Sequence, residues 1–150
     1  MNVLALDPGE TTGWAVADFE ESRIIAWGEM EMWYRIDELL KKYSPEFIIH
    51  ETFALYPWMA KSMSWSTFPT VEVIGAVKYC ALRDGITVIA QPAADKKQSH
   101  FYFNHQSRHV RDAVAHAVVF CRRNKREGPN TKRNGKGLRG LLRKATGSRT

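Results

Sequence analysis

The sequence predicts one α/β domain built on a mixed five-stranded sheet, with helices on both faces. Two patterns carry this prediction. Three short apolar segments joined by tight turns come first, which is typical of antiparallel strands. Strand-like and helical segments then alternate, which is typical of parallel strands linked by crossover helices. A length of 150 residues with 44% hydrophobic content supports one domain with a substantial core and leaves no room for two.

The first three strands are expected at residues 2–6, 12–18 and 23–30. Val3 to Leu6 form a continuous apolar run, which indicates a strand buried on both of its faces. Pro8-Gly9 directly afterwards predicts a tight turn. The chain is therefore expected to begin with three consecutive antiparallel strands.

The rest of the fold follows from alternating helical and strand patterns. Ile36, Leu39 and Leu40 have the spacing of one helix face, and Ser107 is a suitable N-cap for a final helix. Residues 91–104 are expected to form a loop or a short helix. Helices are predicted at 33–43, 69–83 and 108–123, and two further strands at 46–51 and 86–90.

Cysteine usage and hydropathy predict the compartment. Cys80 and Cys121 lack CxxC spacing, so both are expected to be reduced thiols of a cytoplasmic protein. The beginning of the chain lacks the pattern of a signal peptide. Apolar runs stay well short of the ~20 residues that cross a bilayer, so no membrane partner is expected.

Positive charge is concentrated at the end of the chain. Residues 122–150 contain 11 of the 22 Lys and Arg and a single acid, Glu127, so they carry +10 while the rest carries −4. Such a segment favours a polyanionic partner, most simply nucleic acid. We therefore expect a folded domain at 1–123 and a basic, disordered nucleic-acid-binding tail at 124–150. A solvated tail that only aids solubility is the open alternative.

Two acids lie at the ends of predicted strands. Asp7 closes the first strand and Glu51 closes the fourth. Because neighbouring parallel strands end at the same sheet edge, we expect these carboxylates to lie close together and to repel each other. A divalent cation removes that repulsion, and hard oxygen ligands suit Mg²⁺ or Mn²⁺.

The last predicted helix adds a third acid. His109, Asp112 and His116 are spaced i, i+3 and i+7, so they share one helix face beside an apolar stripe. For His116 a core or capping role is favoured over a place beside the acids. A purely structural ion-pair cluster, with Arg108 and Arg111 as cations, remains an alternative to a metal site.

In these motifs the chain resembles the RuvC-type Holliday junction resolvases of the ribonuclease H-like superfamily. The first strand and turn match the family's opening motif, and the end of the fourth strand matches the position of its second acid. The last helix matches the version of the family's helix motif that contains a histidine. The matching segments are Leu6-Asp7-Pro8-Gly9-Glu10-Thr11-Thr12-Gly13-Trp14-Ala15, Ile48-Ile49-His50-Glu51 and Arg108-His109-Val110-Arg111-Asp112-Ala113. The resemblance covers about residues 2–121. The short chain and basic tail depart from cellular members and suggest a phage-encoded or divergent one.

The resemblance implies a ribonuclease H-like nuclease domain that resolves four-way DNA junctions with two Mg²⁺ or Mn²⁺ ions per active site. Asp7 would bridge both ions, Glu51 would bind one, and Asp112 the other. His109 would be a fourth ligand or a water-orienting base. Thr12 and Gly13 would shape the metal edge or simply form a turn. The enzyme would act as a homodimer in the cytoplasm of a bacterial cell or a phage-infected host.

The resemblance also implies a DNA-contacting surface. The segment 53–66 corresponds to the part of a resolvase that enters the junction, and Phe53 is the best wedge candidate by position. Trp65 is expected to pack in a core or dimer interface. The expected DNA contacts are Phe53, Tyr56, Trp58, Lys61, Lys96, Lys97, Arg122, Arg123, Lys125 and Arg126.

Three other functions remain open at this point. A ribonuclease H-like endonuclease could act on flapped, branched or duplex DNA with little junction preference. A non-catalytic DNA-binding protein could keep the fold. A phosphate-binding enzyme of the actin and hexokinase type shares the opening motif, but it needs a second comparable domain that 150 residues do not provide.

Overall fold

The computed structural model describes residues 1–54 and 68–126. Within them, five strands form one mixed sheet in the order β3-β2-β1-β4-β5. β1 pairs antiparallel with β2, and β2 with β3, whereas β1–β4 and β4–β5 are parallel. This arrangement confirms the predicted sheet. The strands are β1 (Asn2–Asp7), β2 (Thr12–Asp18), β3 (Arg23–Met30), β4 (Phe47–Glu51) and β5 (Thr87–Gln91).

The helices follow the predicted order with shifted ends. The helix expected at 33–43 begins as a 3₁₀ turn, and the last helix continues three residues beyond the expected end at 123. Part of the 91–104 segment is a 3₁₀ helix. The elements are η1 (Trp33–Arg35), α1 (Ile36–Tyr43), α2 (Pro69–Asp84), η2 (Ala93–Ser99) and α3 (Arg108–Arg126).

Both faces of the sheet are covered by hydrophobic core residues. Leu4, Leu6 and Ile48 pack with α1 and α2, whereas Val3 and Ala5 belong to the opposite core beneath α3. Successive strand residues point to opposite faces, so residue parity decides which helix layer each side chain meets.

The same parity sets the face on which the strand-end residues lie. Asp7 lies on the same face as Val3 and Ala5, because alternate residues of a strand share a face. Glu51 and Gln91 pair in register at the ends of β4 and β5. All three therefore lie on the face that α3 covers, at the carboxyl edge of the parallel strands.

α3 lies unusually close to β2 at one point. A Cβ atom on Gly13 would lie 2.1 Å from the carbonyl carbon and oxygen of His109 and 2.6 Å from the nitrogen of Val110. Since real Cβ atoms do not approach backbone so closely, only glycine permits this packing. Gly13 pairs with Asp7 in the sheet, so the close contact places the first turn of α3 beside that acid.

Two further predictions concern side chains and membranes. Cys80 and Cys121 are both free thiols, as expected.

Thr12 is buried, and its hydroxyl donates to the carbonyl of Gly9 and accepts from the N–H of Gly9, which is turn chemistry. In the described part of the chain, no helix combines the length and apolarity that a membrane crossing requires.

Candidate metal centre

Three carboxylates converge at the carboxyl edge of the sheet. One oxygen each from Asp7, Glu51 and Asp112 lie within 4.8 Å of one another. Asp7 comes from the end of β1, Glu51 from the adjacent end of β4, and Asp112 from the second turn of α3. All three side chains are partly buried, so their mutual repulsion is only partly screened by water. The structure thus assembles the predicted acid set.

Asp7 has the most buried side chain of the three acids. Burial raises the pKa of Asp7, the hydrogen bond from His109 offsets part of that rise, and the negative charges of Glu51 and Asp112 add to it. His109 Nδ1 lies 2.7 Å from Asp7 Oδ2. With Nδ1 donating to the carboxylate, Nε2 of His109 is the nitrogen that remains for a ligand or a water molecule.

Lys96 joins the other two acids. Its Nζ donates to Glu51 Oε2 at 2.9 Å and to Asp112 Oδ2 at 2.7 Å. Burial disfavours the ammonium charge, but the hydrogen bonds to Asp112 and Glu51 outweigh it and raise the pKa of Lys96. Lys96 was expected among the DNA contacts, and here it lies inside the acid cluster.

His116 is fully buried and contacts the carboxylate of Glu51. Its Nε2 lies 3.0 Å from Glu51 Oε2, and its Nδ1 lies 2.9 Å from Gln91 Oε1. The hydrogen bond from His116 is the main cause that lowers the pKa of Glu51 to about 2; burial opposes this effect, and Lys96 adds to it. The favoured core role of His116 fits its complete burial, but the contact with Glu51 is an additional role that sequence reasoning ranked lower.

The cluster fits a divalent cation better than a closed ion-pair network. Three carboxylates face one ammonium, and Asp7 is bonded to a histidine rather than to a lysine or arginine. Of the arginines proposed as cations, Arg108 reaches Asp112 only at 3.7 Å, and Arg111 donates instead to the carbonyls of His105 and Gln106. Carboxylate oxygens at this spacing are the ligands that Mg²⁺ and Mn²⁺ prefer.

The other predicted contact residues that the structure describes lie on several different elements. Phe53 is exposed just beyond β4, with its ring centroid 6.5 Å from that of Phe68. Lys97 is exposed beside Lys96 on η2, and Arg126 ends α3. Tyr56, Trp58, Lys61 and Trp65 lie outside the described residues.

The basic residues at the end of α3 also make contacts within the chain. Arg122 donates to the carbonyl of Ser99, and Arg123 forms an ion pair with Asp95 at 2.6 Å. Lys125 donates to the carbonyl of Glu20. The two arginines therefore fasten η2 against α3, which fixes the position of Lys96 in the cluster.

Comparisons with known proteins agree with this architecture. No family model and no curated protein matches the sequence. Among solved structures, Thermus thermophilus RuvC in complex with a Holliday junction substrate matches with a TM-score of 0.67 at 18% identity, covering 85% of this chain and 96% of that one. A second Thermus thermophilus RuvC structure matches with a TM-score of 0.63 at 19% identity, covering 80% and 93%.

The fold is therefore RuvC-like, and the predicted ribonuclease H-like architecture is confirmed. The likeness extends over nearly the whole length of that RuvC chain.

Proposed function

We propose that this protein is a metal-dependent endodeoxyribonuclease that cuts branched DNA, most simply a four-way junction, by paired incisions. One observation carries the proposal: three carboxylates from distant parts of the chain converge within 4.8 Å at the carboxyl edge of a RuvC-like sheet. The mutual repulsion of three clustered carboxylates destabilises the folded state unless cations neutralise it. Metal-assisted hydrolysis of a phosphodiester is a reaction that uses cations held by carboxylates in this way.

Each residue has a distinct role in this proposal. Asp7 would be a ligand of both Mg²⁺ or Mn²⁺ ions, Glu51 would hold one of them, and Asp112 would hold the other. When bound, the ions supply an activated water and stabilise the charge that develops on the scissile phosphate. His109 keeps Asp7 oriented through Nδ1, and its Nε2 serves as a further ligand or accepts the proton of the attacking water.

Lys96 can leave the acids for the substrate. Its ammonium contacts Glu51 and Asp112, which are both proposed to bind ions. When cations take its place, the flexible lysine side chain can reach a phosphate that lies beside the acids. This retains the expected DNA contact of Lys96 and restricts it to the phosphate nearest the cleavage point.

The remaining DNA contacts are proposed from charge and position. Phe53 and the segment that follows it would contact the junction. Lys97, Lys125 and the basic residues that follow Lys125 would contact phosphates. A four-way junction has two strands to cut, so the proposal includes a homodimer with two active sites. The protein would act in the cytoplasm of a bacterial cell or a phage-infected host.

Cleavage of end-labelled DNA tests the proposal. The native chain and Asp7→Asn are incubated with a four-way junction, a three-way junction, a flap and a linear duplex, in Mg²⁺, Mn²⁺ or EDTA. We expect symmetric nicks in the four-way junction that need the metal, and at least a 100-fold loss in Asp7→Asn. Glu46→Gln is the matched control, because Glu46 is an exposed acid at the opposite end of the strand that carries Glu51.

The other functions predict different results. Equal rates on all four substrates would replace junction resolution with a general ribonuclease H-like nuclease. DNA binding without cleavage in any metal, unaffected by Asp7→Asn, would indicate a non-catalytic DNA-binding protein. Tight ATP binding without DNA binding would indicate the phosphate-binding enzyme class.

A truncation tests the proposed tail. A chain that ends at Arg126 keeps α3 whole and removes 7 of the 22 Lys and Arg. We expect weaker DNA binding and a shallower dependence of log affinity on log salt, because fewer counterions are released. An unchanged salt slope would contradict a role of the tail in DNA binding.

A further inference from the structure

The segment that joins η2 to α3 carries three rings in a row. The ring centroids of Phe101 and Phe103 lie 6.4 Å apart at an interplanar angle of 23°, and those of Phe103 and His105 lie 6.3 Å apart at 18°. Alternate residues of an extended segment share one side, which explains the near-parallel order. We call Phe101, Phe103 and His105 the aromatic row.

The aromatic row is anchored in its middle and at its ends. Phe103 packs against the core under α3, and Trp27 of β3 meets it edge-on at 5.1 Å and 82°. Arg111 donates to the carbonyl of His105 at 2.6 Å, and the N–H of Phe101 donates to Ser99 Oγ at 3.4 Å. The row is therefore held before any ligand arrives, which lowers the ordering cost of binding.

The outer part of the row is exposed although it is aromatic. Phe101 is 43% exposed and Trp27 is 46% exposed. Leaving such large rings in water forgoes the stabilisation that burial would give, and a contiguous exposed aromatic surface commonly marks a binding site. Parallel rings favour a ligand with a flat aromatic face that can stack on them.

The charges around the row favour nucleic acid over protein as that ligand. From His100 to Arg111 the sequence contains two arginines and three histidines and no acid. Arg108 projects into solvent, with its side chain 78% exposed. Such a surface attracts a polyanion, and the 6.3–6.4 Å ring spacing is close to the rise of two stacked bases, at ~3.4 Å each.

The position of the row relates it to the acid cluster. The segment starts after η2, which carries Lys96, and ends at α3, which carries His109 and Asp112. Both ends of the row are therefore tied to elements that contribute to the acid cluster, which favours nucleotides beside a phosphate at the acids as its ligand. Duplex DNA keeps its bases stacked inside, so only unpaired bases can stack on the row.

We propose that the aromatic row is a stacking site for unpaired bases of the DNA strand next to the cleaved phosphodiester. This inference rests on the proposed nuclease function and adds a second base-contacting surface, separate from the segment that begins at Phe53. It also predicts a preference for substrates with open bases near the branch point. Phe101 is the outermost ring and the main contact.

Base-specific fluorescence tests the row in EDTA, where cleavage is prevented. The probes are a duplex with an internal unpaired stretch and the same duplex fully paired, each carrying 2-aminopurine at the same position. The proteins are the native chain, Phe101→Ala, Phe101→Tyr and Phe101→Leu. Tyr102→Ala is the matched control, because Tyr102 is 86% exposed in the same segment but lies outside the row.

We expect the native chain to quench the unpaired 2-aminopurine, and Phe101→Ala to abolish quenching and weaken binding of that probe roughly tenfold. Binding of the paired duplex should stay within twofold. Phe101→Tyr should behave like the native chain, whereas Phe101→Leu should resemble Phe101→Ala, because leucine is apolar but cannot stack. Tyr102→Ala should quench normally.

Other results would overturn the inference. Equal losses on both probes, native quenching by Phe101→Ala, or a loss of quenching in Tyr102→Ala would each exclude a base-stacking row. Dissociation of an oligomer by Phe101→Ala in sedimentation would identify the row as a contact between copies of the chain. If the native chain cleaves junctions while Phe101→Ala quenches normally, only the row fails; if the native chain neither binds nor cuts DNA, the proposed function fails as well.

Discussion

Gly13 lies directly against the backbone of His109, so closely that no other residue fits between β2 and α3 at this point. The contact lies beside the acid cluster, because Gly13 pairs with Asp7 and His109 donates to the Asp7 carboxylate. One glycine on β2 therefore sets how closely α3, which carries Asp112, approaches the sheet beside Asp7.

Replacing Gly13 tests this spacing. Gly13→Ala places a Cβ against helix backbone, so α3 must shift, and we expect a loss of about 1–3 kcal/mol in the free energy of unfolding. Cleavage should fall by at least tenfold even at temperatures where the variant is fully folded, because His109 moves away from Asp7. Urea unfolding and junction cleavage measure the two effects.

Gly75→Ala is the control for this substitution. A Cβ at Gly75 meets nothing within 4 Å in the interior of α2, so helix propensity should raise stability by about 0.5–1 kcal/mol with unchanged cleavage. If Gly13→Ala keeps both stability and activity, the contact does not control the site.

His116 is expected to govern metal affinity through Glu51. Removing its hydrogen bond in His116→Ala leaves Glu51 with fewer constraints on its orientation, so Mn²⁺ should bind ~10–100-fold more weakly. Isothermal titration with Mn²⁺, without DNA, measures this directly. Partial recovery in His116→Gln, which can still donate, would separate positioning from simple packing.

His50 provides the comparison for His116. It is also buried, but its Nδ1 lies 2.8 Å from the backbone carbonyl of Glu51 rather than from the carboxylate. His50→Ala should lower stability, as His116→Ala does, with much less effect on Mn²⁺ affinity. Equal losses of affinity in the two variants would indicate that general loosening of the core, not the carboxylate contact, weakens the metal site.

Lys96 is expected to stabilise the acid cluster when divalent cations are removed. Lys96→Gln leaves Glu51 and Asp112 without their ammonium partner, so in EDTA the melting temperature should fall by several degrees. Mg²⁺ or Mn²⁺ should then raise it by more than in the native chain, because the ion no longer displaces a lysine. Differential scanning calorimetry with and without metal measures both changes.

Lys97→Gln is the control, because Lys97 is the exposed neighbour on the same 3₁₀ helix. It should melt like the native chain in both conditions. A metal-induced rise in Lys96→Gln that is no larger than in the native chain would mean that Lys96 and the cation do not compete for the same acids.

The acid set was predictable because its positions follow from simple periodicities. A buried apolar run ending in Asp7, a second ending in Glu51, and helical spacing around Asp112 are all local patterns. Parallel strand ends then meet at one edge of the sheet. At these positions the strands and the helix predicted from sequence periodicity are those found in the structure, as they are in most of the sheet.

Lys96 and His116 show what local patterns leave out. Lys96 is 45 residues from Glu51 in sequence, and its position depends on a 3₁₀ helix that Arg122 and Arg123 fasten to α3. His116 lies one turn beyond Asp112, and only the register of β4 with β5 places Gln91 and Glu51 around it. Long-range packing of irregular segments decides both contacts, and no periodicity in the chain records it.

Asp7 and Glu51 are expected to affect stability with opposite signs in the absence of metal. Burial raises the pKa of Asp7 above 3.8, so the folded state loses stability as the pH rises from 3.8, and the loss is complete once the pH exceeds the raised pKa. The hydrogen bond from His116 lowers the pKa of Glu51 from 4.5 to about 2, so the Glu51 charge stabilises the folded state above pH 4.5. At pH 7 in EDTA, Asp7→Asn should therefore raise the free energy of unfolding and Glu51→Gln should lower it.

The pH dependence separates these charge effects from changes in packing. Both differences from the native chain should shrink on acidification: that of Asp7→Asn as the pH falls through the raised pKa of Asp7 towards 3.8, and that of Glu51→Gln as it falls from 4.5 towards 2. Urea unfolding of the native chain, both variants and Glu46→Gln between pH 3 and 7 measures this, with effects on the order of 1 kcal/mol. Differences that are constant with pH, or that share one sign, would mean that the acids are not electrostatically coupled as the structure indicates. A more stable but inactive Asp7→Asn would instead show that the fold retains an unfavourable charge because the chemistry requires it.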